Sequence, residues 1–136
     1  MGNAITTVFV CSPYRPSSAD PVVARTQLAA NLDRAKLACR MLAKLGYLPM
    51  APHLYFTQFL EDDDAGERAE GMKLGLEWLA QADELWAFGD EITEGMSREI
   101  AAAKEMDKPV RMMPEPSQLI TDLLAAMKNN EPKEGE

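Results

Sequence analysis

The sequence has few of the residues on which many catalytic and metal sites depend. Its 136 residues include one histidine, His53, and two cysteines, Cys11 and Cys39. A single histidine rules out a histidine-rich metal site and argues against a Ser-His-Asp triad. Two cysteines without the spacing of metal ligands indicate reduced thiols, and we therefore expect a cytoplasmic protein.

Long apolar runs and glycine-rich phosphate motifs are also missing. No apolar run approaches the roughly 20 residues that a membrane span requires, so we expect no membrane association. No basic segment precedes an apolar one at the N-terminus, so we expect no signal peptide. The glycines of a P-loop or a dinucleotide fingerprint are absent as well.

The net charge of −8 is distributed unevenly along the chain. Residues 1–60 carry six basic and two acidic side chains, whereas residues 61–99 carry three basic and thirteen acidic ones. This negative net charge argues against a nucleic-acid polymer as partner, because binding to its phosphates depends on Lys and Arg. The net positive charge of residues 1–60 is still compatible with one small anionic ligand.

Strand and helix patterns alternate along the chain. Apolar runs predict strands over 5–11, 47–51, 84–88 and 110–113. Helices are predicted from Asp20-Pro21 to Gly46 and over 67–81, 94–106 and 116–128, and residues 52–66 form a long irregular stretch. This order predicts an α/β fold, a three-layer Rossmann-like or flavodoxin-like parallel sheet of four or five strands with helices on both faces. We expect one domain over 1–128 and a disordered tail over 129–136.

In such sheets, ligands bind at the carboxyl ends of the strands, which directs attention to the loops that follow them. The loop after the first strand contains Ser12, Tyr14 and Arg15. Its hydroxyls, its N–H groups and the dipole of the next helix are suited to an anion, and Arg15 to a phosphate. Alternatively, Ser and Pro serve there only as turn residues.

The loop and helix after the third strand contain Thr93, Gly95 and Glu99. Thr93 is a suitable N-cap, and Gly95 lies one turn before Glu99 on the same helix face, which leaves space beside the carboxylate. A carboxylate among small and apolar residues near a strand end is a candidate nucleophile or base. The alternative is a solvated glutamate on a helix surface.

Three features of the second loop have two interpretations each. His53 either contacts a base or hydroxyl of a ligand or is a structural residue. Tyr55, Phe56 and Phe59 either stack on a nucleobase or anchor the loop to the core. The acidic run over 61–64 is either a carboxylate metal site, as in a metal-dependent hydrolase, or a solvated loop.

Three stretches together resemble the nucleoside 2-deoxyribosyltransferase-like superfamily, which includes the nucleoside 5′-monophosphate N-glycosidases. They are VFVCSPYRP, GLEWLAQADELWAF and the pattern Thr93-x-Gly95-x-x-x-Glu99, and the resemblance covers roughly residues 5–115. It implies that Glu99 attacks the anomeric carbon of a deoxyribose and that water or a second base then accepts the sugar.

The resemblance also implies a set of binding residues. Thr93 would contact the sugar or its phosphate, and Ser12, Tyr14 and Arg15 would line the pocket. To these we add three further expected substrate-binding residues: His53, Asp90 and Gly95. It implies no cofactor and no metal, a small nucleoside or nucleotide as ligand, and a homo-oligomer. We expect a phosphorylated substrate because of the basic first loop.

One position departs from the family pattern. Members commonly have an aspartate that organises the nucleophile where this sequence has Gly75. The leading hypothesis is an N-glycosidase or deoxyribosyltransferase-like enzyme that acts on a nucleoside or nucleotide. The alternative is a nucleotide-binding module without turnover, and Gly75 is the feature that favours it.

Overall fold

A computed structural model describes residues 4–129. Four strands form one parallel sheet in the order β2-β1-β3-β4, and five helices connect and cover them. The strands are β1 (Thr7–Cys11), β2 (Leu48–Met50), β3 (Glu84–Phe88) and β4 (Val110–Met113). The helices are α1 (Pro21–Lys44), α2 (Pro52–Tyr55), α3 (Ala65–Gln81), α4 (Glu94–Glu105) and α5 (Pro116–Asn129), with one 3₁₀ turn at Phe56–Gln58.

Alternating side chains of the central strands build two cores, one on each face of the sheet. Val8, Val10, Trp86 and Phe88 pack against α1 and α5. Phe9, Cys11, Leu85 and Ala87 pack against α3 and α4. This arrangement confirms the predicted three-layer, flavodoxin-like α/β fold, with four strands.

Local sequence signals explain the ends of the long helices. The Asp20 carboxylate accepts hydrogen bonds from the N–H groups of Val22 and Val23, and Pro21 occupies the first helical position of α1. Gly46 follows the end of that helix with a φ of +91°, a conformation that glycine adopts without strain. Pro49 lies in β2, an edge strand, where its missing N–H is tolerated.

The expectations differ from the structure at two places. The stretch predicted to be irregular contains α2 and the 3₁₀ turn, and α3 begins at Ala65 because Asp64 caps it through the Glu67 N–H. Asn129 belongs to α5 and not to the predicted tail, and residues 130–136 lie outside the described residues. None of the described helices combines the length and apolar character needed to cross a membrane.

Candidate active site

A cavity of about 410 Å³ opens at the carboxyl ends of β1 and β3, on the face of the sheet covered by α3 and α4. This volume lies within the range of small-molecule sites. On the opposite face of the sheet, Arg34 of α1 pairs with Glu115 beside Gly89, at the end of β3. The cavity gathers most of the candidate residues: Ser12, Tyr14, Arg15, His53, Thr93, Gly95 and Glu99.

Glu99 lies in the cavity wall one turn after Gly95 on α4. Thr93 caps this helix by accepting the Met96 N–H at 3.2 Å, and a Cβ at Gly95 would meet only the Thr93 hydroxyl, at 4.0 Å. Burial raises the pKa of Glu99 to about 7, partly opposed by the Cys11 thiol and by the positive charge of Arg98. Near neutral pH, a substantial fraction of this carboxyl is therefore the ionised, nucleophilic form.

Cys11 lies beside Glu99, and the sequence alone did not point to it as a site residue. Its thiol donates to the Met96 carbonyl at 3.7 Å, and it is near enough to the Glu99 carboxylate for each group to shift the pKa of the other. Full burial and the neighbouring carboxylate raise the pKa of Cys11, so the thiol stays protonated and can donate. The available signal was its position at the C-terminal end of a buried strand.

Ser12, after β1, and His53, in α2, line the cavity and contact each other. The Nε2 of His53 donates to the Ser12 carbonyl at 3.1 Å, because a carbonyl oxygen can only accept. Burial lowers the pKa of His53 to about 4, so the ring is neutral near pH 7. Ser12 is 2% exposed, and its hydroxyl oxygen has no hydrogen-bond partner among the described residues. Such a group requires a ligand or water to satisfy it.

Tyr14 stacks on the His53 ring, with ring centroids 4.8 Å apart. A chain of hydrogen bonds holds this loop in place: Glu115 accepts from Arg34, Arg34 donates to Asn31, and the Asn31 amide donates to the Tyr14 carbonyl. Buried Asn31 therefore connects α1 to the first loop of the site.

The backbone donors expected to bind an anion are already engaged. The N–H groups of Ser17 and Ser18 both donate to the Gln27 side chain at 3.0 Å, and the Asp20 carboxylate occupies the N-terminus of α1. These two N–H groups are therefore satisfied within the protein, and an anion site in this loop stays a prediction. Arg15 does line the cavity, but its Nε is paired with Asp62 at 3.1 Å.

Other candidates have structural roles or lie elsewhere. Asp90 is exposed and is not among the residues that line the cavity. In the acidic run, Asp62 pairs with Arg15 and Asp64 caps α3. Within residues 4–129, no group of three His, Cys, Asp or Glu side chains is close enough to hold a metal.

The aromatic residues of the second loop divide into two roles. Phe56 is buried and lines the cavity, whereas Tyr55 and Phe59 are exposed and pack around Phe56 and Trp78. Gly75 of α3 is also a lining residue, so the position of the family aspartate faces the same cavity without a carboxylate.

Comparison with known proteins places the chain in a family. Residues 6–113 match the family model of a domain of unknown function, DUF7768. The chain belongs to this family. No curated protein sequence matches it. The DUF7768 chain is similar in structure to a 2-deoxyribosyltransferase from the psychrotolerant bacterium Bacillus psychrosaccharolyticus, with a TM-score of 0.61 and 21% identity over 80% of this chain and 72% of that one. This similarity establishes a shared fold.

Proposed function

We propose that the protein cleaves or exchanges the N-glycosidic bond of a nucleoside or nucleoside monophosphate, with Glu99 as nucleophile. The observation that carries this proposal is the half-buried Glu99 carboxyl in the wall of a nucleoside-sized cavity, one turn after a glycine that leaves space beside it. The fold shared with a 2-deoxyribosyltransferase supports it.

In this mechanism, a carboxylate oxygen of Glu99 forms a bond to the anomeric carbon as the bond to the base breaks. Water or a second base then takes the sugar from the glycosyl ester, so one difficult displacement becomes two easier ones. We assign Ser12, Tyr14, Arg15, His53, Thr93 and Gly95 to substrate binding, within one domain over 1–128.

The test is base release from a panel of ribonucleosides, deoxynucleosides and their 5′-monophosphates, followed by chromatography. Glu99→Gln keeps the shape of the side chain and should lower kcat/KM by at least about 10³-fold, because the nucleophile is lost. Glu105→Gln, at the exposed end of the same helix, is the matched control. Equal activity of Glu99→Gln and wild type would remove Glu99 from the mechanism.

A second candidate function is a nucleotide-binding module without turnover, and the cavity-lining Gly75 favours it. In that case, a nucleoside or nucleotide would raise the Tm of the wild-type protein while chromatography detects no product. Mass spectrometry of protein quenched with acid during the reaction tests for the glycosyl-enzyme. A mass increase equal to one sugar residue would show that the protein is an enzyme.

A further inference from the structure

The charge of the cavity wall restricts the kind of ligand that it can hold. Five carboxylates line it against three guanidinium groups: Glu61, Asp62, Glu67, Glu94 and Glu99 against Arg15, Arg68 and Arg98. Two of these guanidinium groups are paired with lining carboxylates, Arg15 with Asp62 at 3.1 Å and Arg98 with Glu94 at 3.4 Å. The neutral ring of His53 adds no positive charge. A phosphate dianion would therefore enter an unfavourable field, whereas a cation would enter a favourable one.

Two uncharged features also suit a cationic ring. Tyr14 and Phe56 line the cavity, and an aromatic ring attracts a cation that lies over its face within about 6 Å of its centroid. The buried Ser12 hydroxyl has no partner among the described residues, so it can form a hydrogen bond with a ligand in the cavity.

The cavity is poorly supplied with groups that could protonate a leaving base. A neutral base normally needs a general acid to depart. The Nε2–H of His53 is engaged by the Ser12 carbonyl, and Tyr14 holds its proton because burial and the nearby Asp62 raise its pKa. Glu61 and Glu94 are exposed, and Asp62 is paired with Arg15. Glu67 accepts the Glu61 N–H, and Gly75 has no side chain.

We propose that the substrate is an N-glycoside whose base carries a fixed positive charge, such as a pyridinium or N-alkylated purinium nucleoside without a phosphate. This inference rests on the proposed function for its chemistry. As the Glu99 oxygen bonds to the anomeric carbon, the electron pair of the breaking bond neutralises the base nitrogen, so the base departs without a proton. Water then hydrolyses the glycosyl ester to free sugar, the Glu99 carboxylate and one proton.

The first experiment measures the charge preference without turnover. Calorimetry compares 1-methylnicotinamide, a permanent cation, with neutral nicotinamide. We expect the cation to bind at least about tenfold more tightly, with a ratio that decreases as salt is added. Glu67→Gln should reduce the ratio, whereas Glu77→Gln, exposed on the same helix and outside the cavity, should leave it unchanged. Equal binding of the two probes, or equal effects of the two variants, would overturn the proposal.

The second experiment compares turnover of nicotinamide riboside, its 5′-phosphate and adenosine, each corrected for its spontaneous rate. We expect the unphosphorylated cation to have the highest kcat/KM and to depend on Glu99. Faster Glu99-dependent release from adenosine or from the phosphate would overturn the substrate assignment and leave the proposed function standing. A preference for the cationic probe with no release from any nucleoside would overturn the proposed function instead.

Discussion

At the scale of single residues, the protonation of Glu99 controls the proposed chemistry. Only the ionised carboxylate is a nucleophile, and its pKa is about 7. We therefore expect kcat/KM to rise about tenfold per pH unit below 7 and to level off above it. Because Arg98 lowers this pKa, Arg98→Gln should move the midpoint upwards. Arg25→Gln, on the exposed surface of α1, should leave the pH–rate profile unchanged.

The same pKa predicts an effect on stability that needs no substrate. The folded state disfavours ionised Glu99, so the free energy of unfolding should fall as pH rises from about 4.5 to 7. Glu99→Gln removes this loss, and we expect it to be more stable than wild type by about 1–3 kcal/mol at pH 8 and no more stable at pH 4. Urea unfolding at both pH values provides the measurement. A difference that does not change with pH would contradict the assigned pKa.

Ser12 should contribute more to binding than to folding. Its buried hydroxyl has no partner among the described residues, so Ser12→Ala removes a desolvated polar group at no loss of a hydrogen bond. We expect a free energy of unfolding that is unchanged or higher by up to about 1 kcal/mol, with KM for the best substrate about tenfold higher. A large loss of stability would instead assign the hydroxyl to the fold.

At the scale of elements, Asn31 of α1 determines the position of the loop after β1. Its amide donates to the Tyr14 carbonyl, and its carbonyl oxygen accepts from Arg34. Asn31→Leu keeps the branched shape of the side chain but has no polar group, so it should cost about 1–3 kcal/mol of stability and raise KM more than it lowers kcat. Denaturant unfolding and steady-state kinetics test both expectations. Thr26→Val, on the exposed first part of the same helix, is a control for changes in α1 alone.

The elements that were predicted closely are those with local signals. Strands β3 and β4 and the beginnings of α1 and α4 lie where the apolar runs and the caps Asp20 and Thr93 predict them. The second loop, residues 52–66, was predicted less accurately. Helix α2 begins without a side-chain cap, and the cap of α3 lies within an acidic run that is typical of a solvated loop.

The sequence predicted which residues would line one cavity, but it did not predict their environment. Strand order brings Glu99 to one cavity with Ser12 and His53, which the rule of strand ends anticipates. The raised pKa of Glu99 and the pairing of Arg15 with Asp62 arise between segments far apart in the chain. No local pattern contains that information. The roles of the individual residues stay predictions.

At the scale of the whole molecule, an apolar surface supports the expected homo-oligomer. Leu124 and Met127 of α5 are 59% and 56% exposed, and α1 and α5 form a groove lined by Met41, Leu45 and Leu123. Exposed apolar side chains on one helix are typical of an interface, and a second copy would cover them.

We therefore expect light scattering to give at least twice the mass of one chain, and the double variant Leu124→Lys, Met127→Lys to give the mass of a monomer. The charged ammonium groups would remain unpaired in a buried interface, which is strongly unfavourable. Leu74→Lys, at an exposed position of α3, is the matched control and should leave the mass of the assembly unchanged. A wild-type monomer at high protein concentration would contradict the prediction. If the Leu74 variant dissociates instead, the interface would be assigned to α3.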